Sequence, residues 1–172
     1  MTAPEFSRPV RLDTLGEAPR AVAITATEAE RAALARRFAL VAIERLEAEA
    51  DVSSAGDAVL ARGRVRAALV QSCVATGVPL DRQVDEPFAL RFVPEGSGAT
   101  DDEVELAESE LDVIGYAGTA IDLGEAAAET MALALDPFPR APDAEAALKA
   151  AGVLDEGEAG PFGVLKELLG RR

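Results

Sequence analysis

The sequence predicts an α+β fold in which an antiparallel, bent or barrel-like sheet of about five strands carries two main helices. Three observations support this prediction: a capped helix, two neighbouring stretches of alternating charge, and a second capped helix that ends at prolines. A chain of 172 residues suits one domain. We expect a single domain over 1–142 with an acidic loop at 95–110, and a helical tail over 143–172 whose attachment is left open.

Two short strands and a helix open the chain. The stretch FSRPVRLDTL has an extended pattern, and RAVAITAT alternates Val22 and Ile24 with small residues, which is typical of a strand. A helix over 28–38 follows. Thr27 and Glu30 have the spacing of a capping box, in which a hydroxyl and a carboxylate satisfy free amides at the helix start.

The next two strands form a charged hairpin. If Gly56 and Asp57 make a two-residue turn, residues equally distant from the turn face each other. The facing pairs are then Asp51 with Arg62, Glu49 with Arg64, and Glu47 with Arg66. Exposed pairs of this kind fix the register more than they stabilise the fold, since each contributes less than ~1 kcal/mol. The other face is small and apolar: Ala48, Ala50, Val52, Ala61, Val65 and Ala67.

Two further strands precede the second helix. Phe88, Leu90 and Phe92 alternate with other residues, and Pro87 indicates a strand start or a sheet edge because it has no N–H to donate. The stretch around 113–114 is the second of these strands.

The second helix is predicted over 122–135. Asp122 is a good N-cap, and Glu125 has the spacing to reach back to it. Pro137 ends the helix. One stripe is apolar and is expected to be buried: Leu123, Ala127, Met131 and Leu135.

The composition argues against a catalytic protein. The sequence has no histidine, which removes the usual general base. The single cysteine, Cys73, allows no internal disulfide and gives zinc too few soft ligands. Residues 1–20 lack the apolar region of a signal peptide, and apolar runs elsewhere are too short to cross a bilayer. An enzyme could still use carboxylates. We expect a cytoplasmic protein with no cofactor, metal or membrane partner.

The net charge of −14 is concentrated in the middle of the chain. Residues 1–91 carry 13 acids and 12 bases, and residues 140–172 carry 6 acids and 5 bases. Residues 92–139 carry 12 acids and no Lys or Arg. Because this region would repel nucleic-acid phosphates and attract basic polypeptides, the charge favours a basic protein partner.

The second helix and its proline exit are the best candidate for a partner-binding element. Its members are Asp122, Glu125, Glu129, Pro137 and Pro139. A magnesium site or an acid/base pair is a second interpretation of these carboxylates, and it would fit a carboxylate- or metal-dependent hydrolase. Helix capping and a solvated face explain the same acids without any site.

Six arginines are candidates for direct contact with RNA: Arg31, Arg36, Arg37, Arg62, Arg64 and Arg66. An RNA-binding face would require these side chains to be exposed and unpaired. The matched acids across the hairpin favour a salt-bridged solvent face instead. Cys73 is interpreted as a buried structural thiol, and no base flanks it closely enough to lower its pKa.

The order of several motifs resembles one bacterial family. The motifs are GRVRAALVQSCVATGVPL, FALRFVP, IDLGEAAAETMALALDPFPRAP and FGVLKELL. Together they resemble the YceD family, the large ribosomal RNA subunit accumulation proteins, in the alphaproteobacterial form. The resemblance extends from about Phe6 to Leu169. The family positions that carry over are Asp122, Leu123, Glu129, Leu133, Pro137 and Pro139.

The resemblance implies a non-enzymatic ribosome-biogenesis factor that supports accumulation of 23S rRNA. A basic ribosomal protein or an assembly factor is the expected partner, with indirect association with 23S rRNA. Direct RNA binding and metal-dependent hydrolysis are the alternatives. Many members carry Cys-x-x-Cys where this chain has Cys73 and Thr76, and further cysteines after the prolines where it has none. The resemblance therefore implies no metal site here.

Overall fold

The computed structural model describes residues 4–96 and 111–153. Within them, a five-stranded sheet has the order β2-β3-β4-β5-β6, and β1 pairs with β7 in a separate ribbon. The elements are β1 (Pro9–Arg11), a 3-10 turn (Leu12–Thr14), β2 (Arg20–Thr25), α1 (Glu28–Arg37), β3 (Ala42–Ala55), β4 (Ala58–Ser72), β5 (Pro79–Pro94), β6 (Asp112–Tyr116), β7 (Ala120–Asp122), α2 (Leu123–Leu133) and α3 (Ala144–Ala150).

The chain divides into two compact units, 1–71 with 81–136 and 72–80 with 137–172. The first unit contains α1, α2 and most of the strands, and the second contains the β4–β5 turn and α3. The predicted boundary at 142 stays a prediction. The predicted acidic loop at 95–110 lies outside the described residues, apart from its first two positions. No helix in the described ranges is long and apolar enough to cross a bilayer.

The sheet confirms the α+β class but not its predicted strand directions. Strands β2, β3 and β4 pair antiparallel. Strand β6 pairs parallel to β5, so the expectation of a wholly antiparallel sheet was wrong. A parallel pair requires a long connection, and β5 ends at Pro94 whereas β6 begins at Asp112. In the part of the sheet that the structure describes, β2 and β6 are the end strands, so a barrel-like closure is not confirmed.

The charged hairpin has the predicted register. Its facing pairs are Glu47 with Arg66, Glu49 with Arg64 and Asp51 with Arg62. None of the three approaches within 4.0 Å, so the predicted ion pairs were wrong in detail. Arg64 instead contacts Asp85 of β5 at 2.7 Å, and Arg66 contacts Glu49 diagonally at 3.7 Å. The neighbouring strand offers the closer carboxylate because side chains of a twisted sheet meet diagonally.

Helix α1 begins as predicted. The Thr27 hydroxyl accepts a hydrogen bond from the Glu30 amide at 3.4 Å, and the Glu30 carboxylate accepts one from the Thr27 amide at 2.7 Å. The helix ends at Arg37, one residue earlier than expected. Leu34 is fully buried and places the apolar side of the helix in the core.

The predicted apolar faces form one core. The inner face of the hairpin is buried as expected, and so are Phe88, Leu90 and Phe92. Pro87 lies within β5 rather than at its start, but β6 begins opposite Leu90, so the described residues leave Pro87 on a local edge. The α2 stripe is also buried, except that Leu135 lies beyond the helix end and is only partly covered.

Gly63 permits a close approach between β3 and β4. Gly63 lies opposite Ala50 on the inner face of the hairpin. A methyl group at Gly63 would lie 2.0 Å from the Glu49 carbonyl oxygen and 2.9 Å from the Ala50 Cβ. These distances are shorter than van der Waals contact, so only glycine fits without moving the backbone of β3.

We expect Gly63→Ala to lower the free energy of unfolding by about 2 kcal/mol or more, because the added methyl group forces the strands apart. Urea denaturation of the full chain measures this change. Gly16→Ala is the matched control, since a methyl group there has no neighbour within 4 Å. Equal stability of the two variants would show that β3 can move aside freely.

Candidate functional site

The Asp122 carboxylate belongs to the predicted partner-binding element, but it accepts hydrogen bonds from groups of the protein itself. Its Oδ1 accepts hydrogen bonds from the amides of Gly124 at 3.0 Å and Glu125 at 3.2 Å, which cap α2. The same oxygen accepts from the Arg8 amide at 2.8 Å. The Ser7 hydroxyl donates to Oδ2 at 2.6 Å. The two bonds from Ser7 and Arg8 hold the N-terminal segment against the start of α2, which the other two bonds cap.

The N-terminal segment also packs closely against the first turn of α2. Phe6 is fully buried. A methyl group at Gly124 would lie 2.5 Å from the Phe6 carbonyl oxygen. The Leu123 amide donates to the Arg8 carbonyl oxygen at 3.1 Å. The first turn of α2 therefore serves as a docking surface for the protein's own N-terminal segment.

Glu125 pairs with Arg37 of α1 instead of reaching back to the cap as predicted. The Arg37 guanidinium donates to both carboxylate oxygens of Glu125, at 2.7 and 3.0 Å. It also donates to Glu5 at 3.0 Å and lies 3.9 Å from Glu129. The hydrogen bond to Glu125 is the main cause that raises the pKa of Arg37. Sequence spacing missed this pair because its members lie on different helices.

A second fork joins the N-terminal segment to α1. Arg8 donates to the two oxygens of Glu30 at 2.7 and 2.9 Å. The hydrogen bond from Arg8 is the largest cause that lowers the pKa of Glu30 to about 2, and bonds from Thr27 add to it. Together with the Arg37 cluster, this fork fixes α1 and α2 to one N-terminal segment.

Four of the six candidate RNA-contacting arginines have internal partners: Arg31, Arg37, Arg64 and Arg66. Arg31 donates to the carbonyl oxygens of Ala26 at 2.8 Å and Ile43 at 3.2 Å. Arg36 and Arg62 are exposed, and neither guanidinium has a hydrogen bond or an ion pair to the residues that the structure describes. The six side chains therefore do not form one free cationic face.

Glu129 contacts the internal network only through the 3.9 Å ion pair with Arg37, and it lines a groove of about 610 Å³. Helix α2 forms one wall, and strands β5 and β6 form the other. The apolar lining consists of Pro87, Phe88, Ala89, Leu90, Ile114, Ala126, Leu133 and Ala134. Glu86 and Asp112 lie with Glu129 among the polar lining residues. Sequence analysis identified Glu129 but missed Glu86 and Asp112, because the three acids come from separate elements.

The remaining candidate residues, Pro137 and Pro139, follow the C-terminal end of α2 in the sequence. Pro137 is exposed. In the second unit Pro139 is buried, and its carbonyl oxygen accepts from the Val74 amide at 2.9 Å. The partner-binding role of both prolines, and of the three α2 acids, stays a prediction. Within the described ranges no three Cys, Asp or Glu residues form a group that could hold a metal ion.

Cys73 is buried in the second unit, as predicted. Its Sγ accepts a hydrogen bond from the Ala141 amide at 3.3 Å. Hydrogen bonds from the Thr76 side chain, first, and from the Ala141 amide lower the pKa of Cys73 to about 7. The expectation that nothing lowers the pKa of Cys73 was wrong, because the cause is a set of neutral donors rather than a nearby base.

A family model, YceD: Large ribosomal RNA subunit accumulation protein, matches residues 61–169. The match is shorter than the resemblance over about 6–169 suggested, but it covers well over half of the 172 residues. It includes β5, β6, α2 and the groove between them. Searches of curated proteins and of solved structures gave no match.

We expect Asp122→Ala to lower the free energy of unfolding by about 2 kcal/mol, since it removes the α2 cap and two bonds to the N-terminal segment. Urea denaturation of the full chain provides the value. Glu129→Ala, on the same helix, is the control and should stay within ~0.5 kcal/mol of the parent protein. Similar losses from both variants would contradict the structural role of Asp122.

The Arg8–Glu30 fork should make stability depend on pH. The folded pKa of Glu30 is about 2 and its ordinary value is 4.5. Ionised Glu30 therefore stabilises the fold above pH 4.5, and this contribution is lost as the pH falls from 4.5 toward 2. Glu30→Gln should be less stable than the parent by about 1 kcal/mol at pH 7, with a smaller difference below pH 4.5. Urea titrations at several pH values measure the gap, and a gap that does not change with pH would refute the assignment.

Proposed function

This chain belongs to the YceD family, the large ribosomal RNA subunit accumulation proteins, and we propose that it supports accumulation of 23S rRNA by binding a basic ribosomal protein or assembly factor. Its role is non-enzymatic and needs no cofactor. It acts in the cytoplasm, where ribosomal RNA is processed and assembled. Its association with 23S rRNA is indirect and passes through the protein partner.

The choice of a basic protein partner is supported by the distribution of charge along the sequence. Residues 92–139 carry 12 acids and no Lys or Arg. The acids of this region have different tasks: Asp122 and Glu125 form internal bonds, whereas Asp112 and Glu129 are exposed. A negative surface of this kind speeds encounter with a basic partner and opposes wrong partners.

The same charge argues against direct binding of RNA. Proteins bind RNA backbones largely by neutralising phosphates with Lys and Arg. Most of the candidate arginines here already have internal partners, including Arg31 and Arg37, which join elements of the core. The exposed Arg36 and Arg62 lie on α1 and β4. They offer fewer cations than a salt-dependent RNA site generally uses.

Two measurements on the full-length protein test this function. In the source bacterium, deletion of the protein should lower the ratio of 23S to 16S rRNA, and expression of the parent chain should restore it. Affinity capture from lysate should retain basic large-subunit proteins or assembly factors after ribonuclease treatment. An unchanged rRNA ratio would overturn the role in accumulation. Loss of all partners after ribonuclease would favour the RNA-binding alternative.

A further inference from the structure

The groove beside α2 is lined mainly by apolar residues. Phe88 and Leu90 of β5 lie at its base and are largely buried. Leu133, at the end of α2, is 87% exposed on its lip. Covering a side chain of this size removes apolar surface from water, which favours binding. The volume of about 610 Å³ is in the range of ligand-binding clefts.

The described residues that line the groove carry charge of only one sign. Glu86, Asp112 and Glu129 are exposed acids contributed by β5, β6 and α2. No Lys or Arg is found among these described lining residues. Among the described residues, Arg37 is the cation that forms an ion pair with one of these acids, at 3.9 Å from Glu129. Its guanidinium already binds the Glu125 carboxylate at 2.7 Å. In the sequence, six acids within residues 101–110 directly precede β6.

This combination selects a particular ligand chemistry. An RNA strand would bring phosphates toward three carboxylates, which is unfavourable. A purely apolar ligand would leave those carboxylates without partners. A polypeptide segment that has a large apolar side chain between Lys or Arg residues covers the apolar lining and also pairs with the three carboxylates. Binding sites of this type concentrate their energy in one buried anchor, and the surrounding charges give specificity.

We propose that the groove receives a basic amphipathic segment of the protein partner, which inserts one apolar side chain between α2 and β5. Lys or Arg residues on either side of this anchor contact Glu86, Asp112 and Glu129. The inference rests on the proposed function, because it locates the surface that binds the basic partner and defines the partner's chemistry. It also replaces the predicted acidic face of α2 with a site built from three elements.

The first experiment places a photo-crosslinking amino acid in the full-length protein at Leu133 or at Val113. The probe is the mixture of large-subunit ribosomal proteins extracted free of RNA. Val113 is the matched control, since it is an aliphatic residue of β6 that is 62% exposed and does not line the groove. Leu133 should crosslink to a segment in which an apolar residue lies between Lys or Arg residues, and Val113 should not.

The second experiment removes the charge of the three groove acids, Glu86, Asp112 and Glu129, which we call the rim. Glu86→Gln, Asp112→Asn and Glu129→Gln are combined in one protein that carries the crosslinker at Leu133. The control combines Glu17→Gln, Glu44→Gln and Asp81→Asn, which removes the same charge from exposed acids outside the lining. The rim variant should lose about fivefold or more of the crosslink, since three exposed ion pairs of ~0.3 kcal/mol or more are removed. The control variant should keep it.

Each outcome separates the groove from the wider function. If the rim variant and the control variant crosslink equally, or if the captured segment is not basic, the groove is not the docking site. If the rim variant also restores 23S rRNA in deletion cells as well as the parent does, the inference fails while the proposed function stands. If deletion leaves 23S rRNA unchanged, the proposed function itself fails. If Leu133 crosslinks only after naked 23S rRNA is added to the RNA-free proteins, the choice of a polypeptide ligand is overturned.

Discussion

The structure of the first unit depends on a single carboxylate. Asp122 caps α2 and, through the Ser7 hydroxyl and the Arg8 amide, holds the segment that precedes β1. Arg8 then reaches Glu30 at the start of α1. The helix dipole favours a negative charge at the start of α2. The same carboxylate therefore accepts hydrogen bonds from free backbone amides, interacts favourably with the dipole and holds the N-terminal segment in place. An acid that looked available for a partner is therefore part of the framework.

This constraint separates two uses of acidic residues on the same helix. Asp122 and Glu125 lie in the first turn and bind groups of the protein itself, including Arg37 of α1. Glu129 lies one turn later, where it meets Glu86 of β5 and Asp112 of β6 around the groove. The framework orients the helix so that its later turns face this groove. A functional surface can thus be built from the part of the helix that the framework leaves free.

Features set by local chemistry could be predicted from the sequence. The Thr27 capping box, the Asp122 cap and the register around Gly56 depend on residues within a few positions of each other. Features set by distant contacts could not. The parallel pairing of β5 with β6, the Arg37–Glu125 fork and the groove join residues far apart in the chain, and neither periodicity nor spacing reports them.

The proposed function requires an acidic surface that selects basic polypeptides over nucleic acid. The most direct measurement is equilibrium binding of the fluorescently labelled full chain, at physiological salt, to RNA-free large-subunit proteins and separately to naked 23S rRNA. We expect saturable binding to the protein fraction that weakens as salt increases, and no measurable binding to the rRNA at the same concentrations. Tight binding to naked rRNA, with none to the protein fraction, would contradict it.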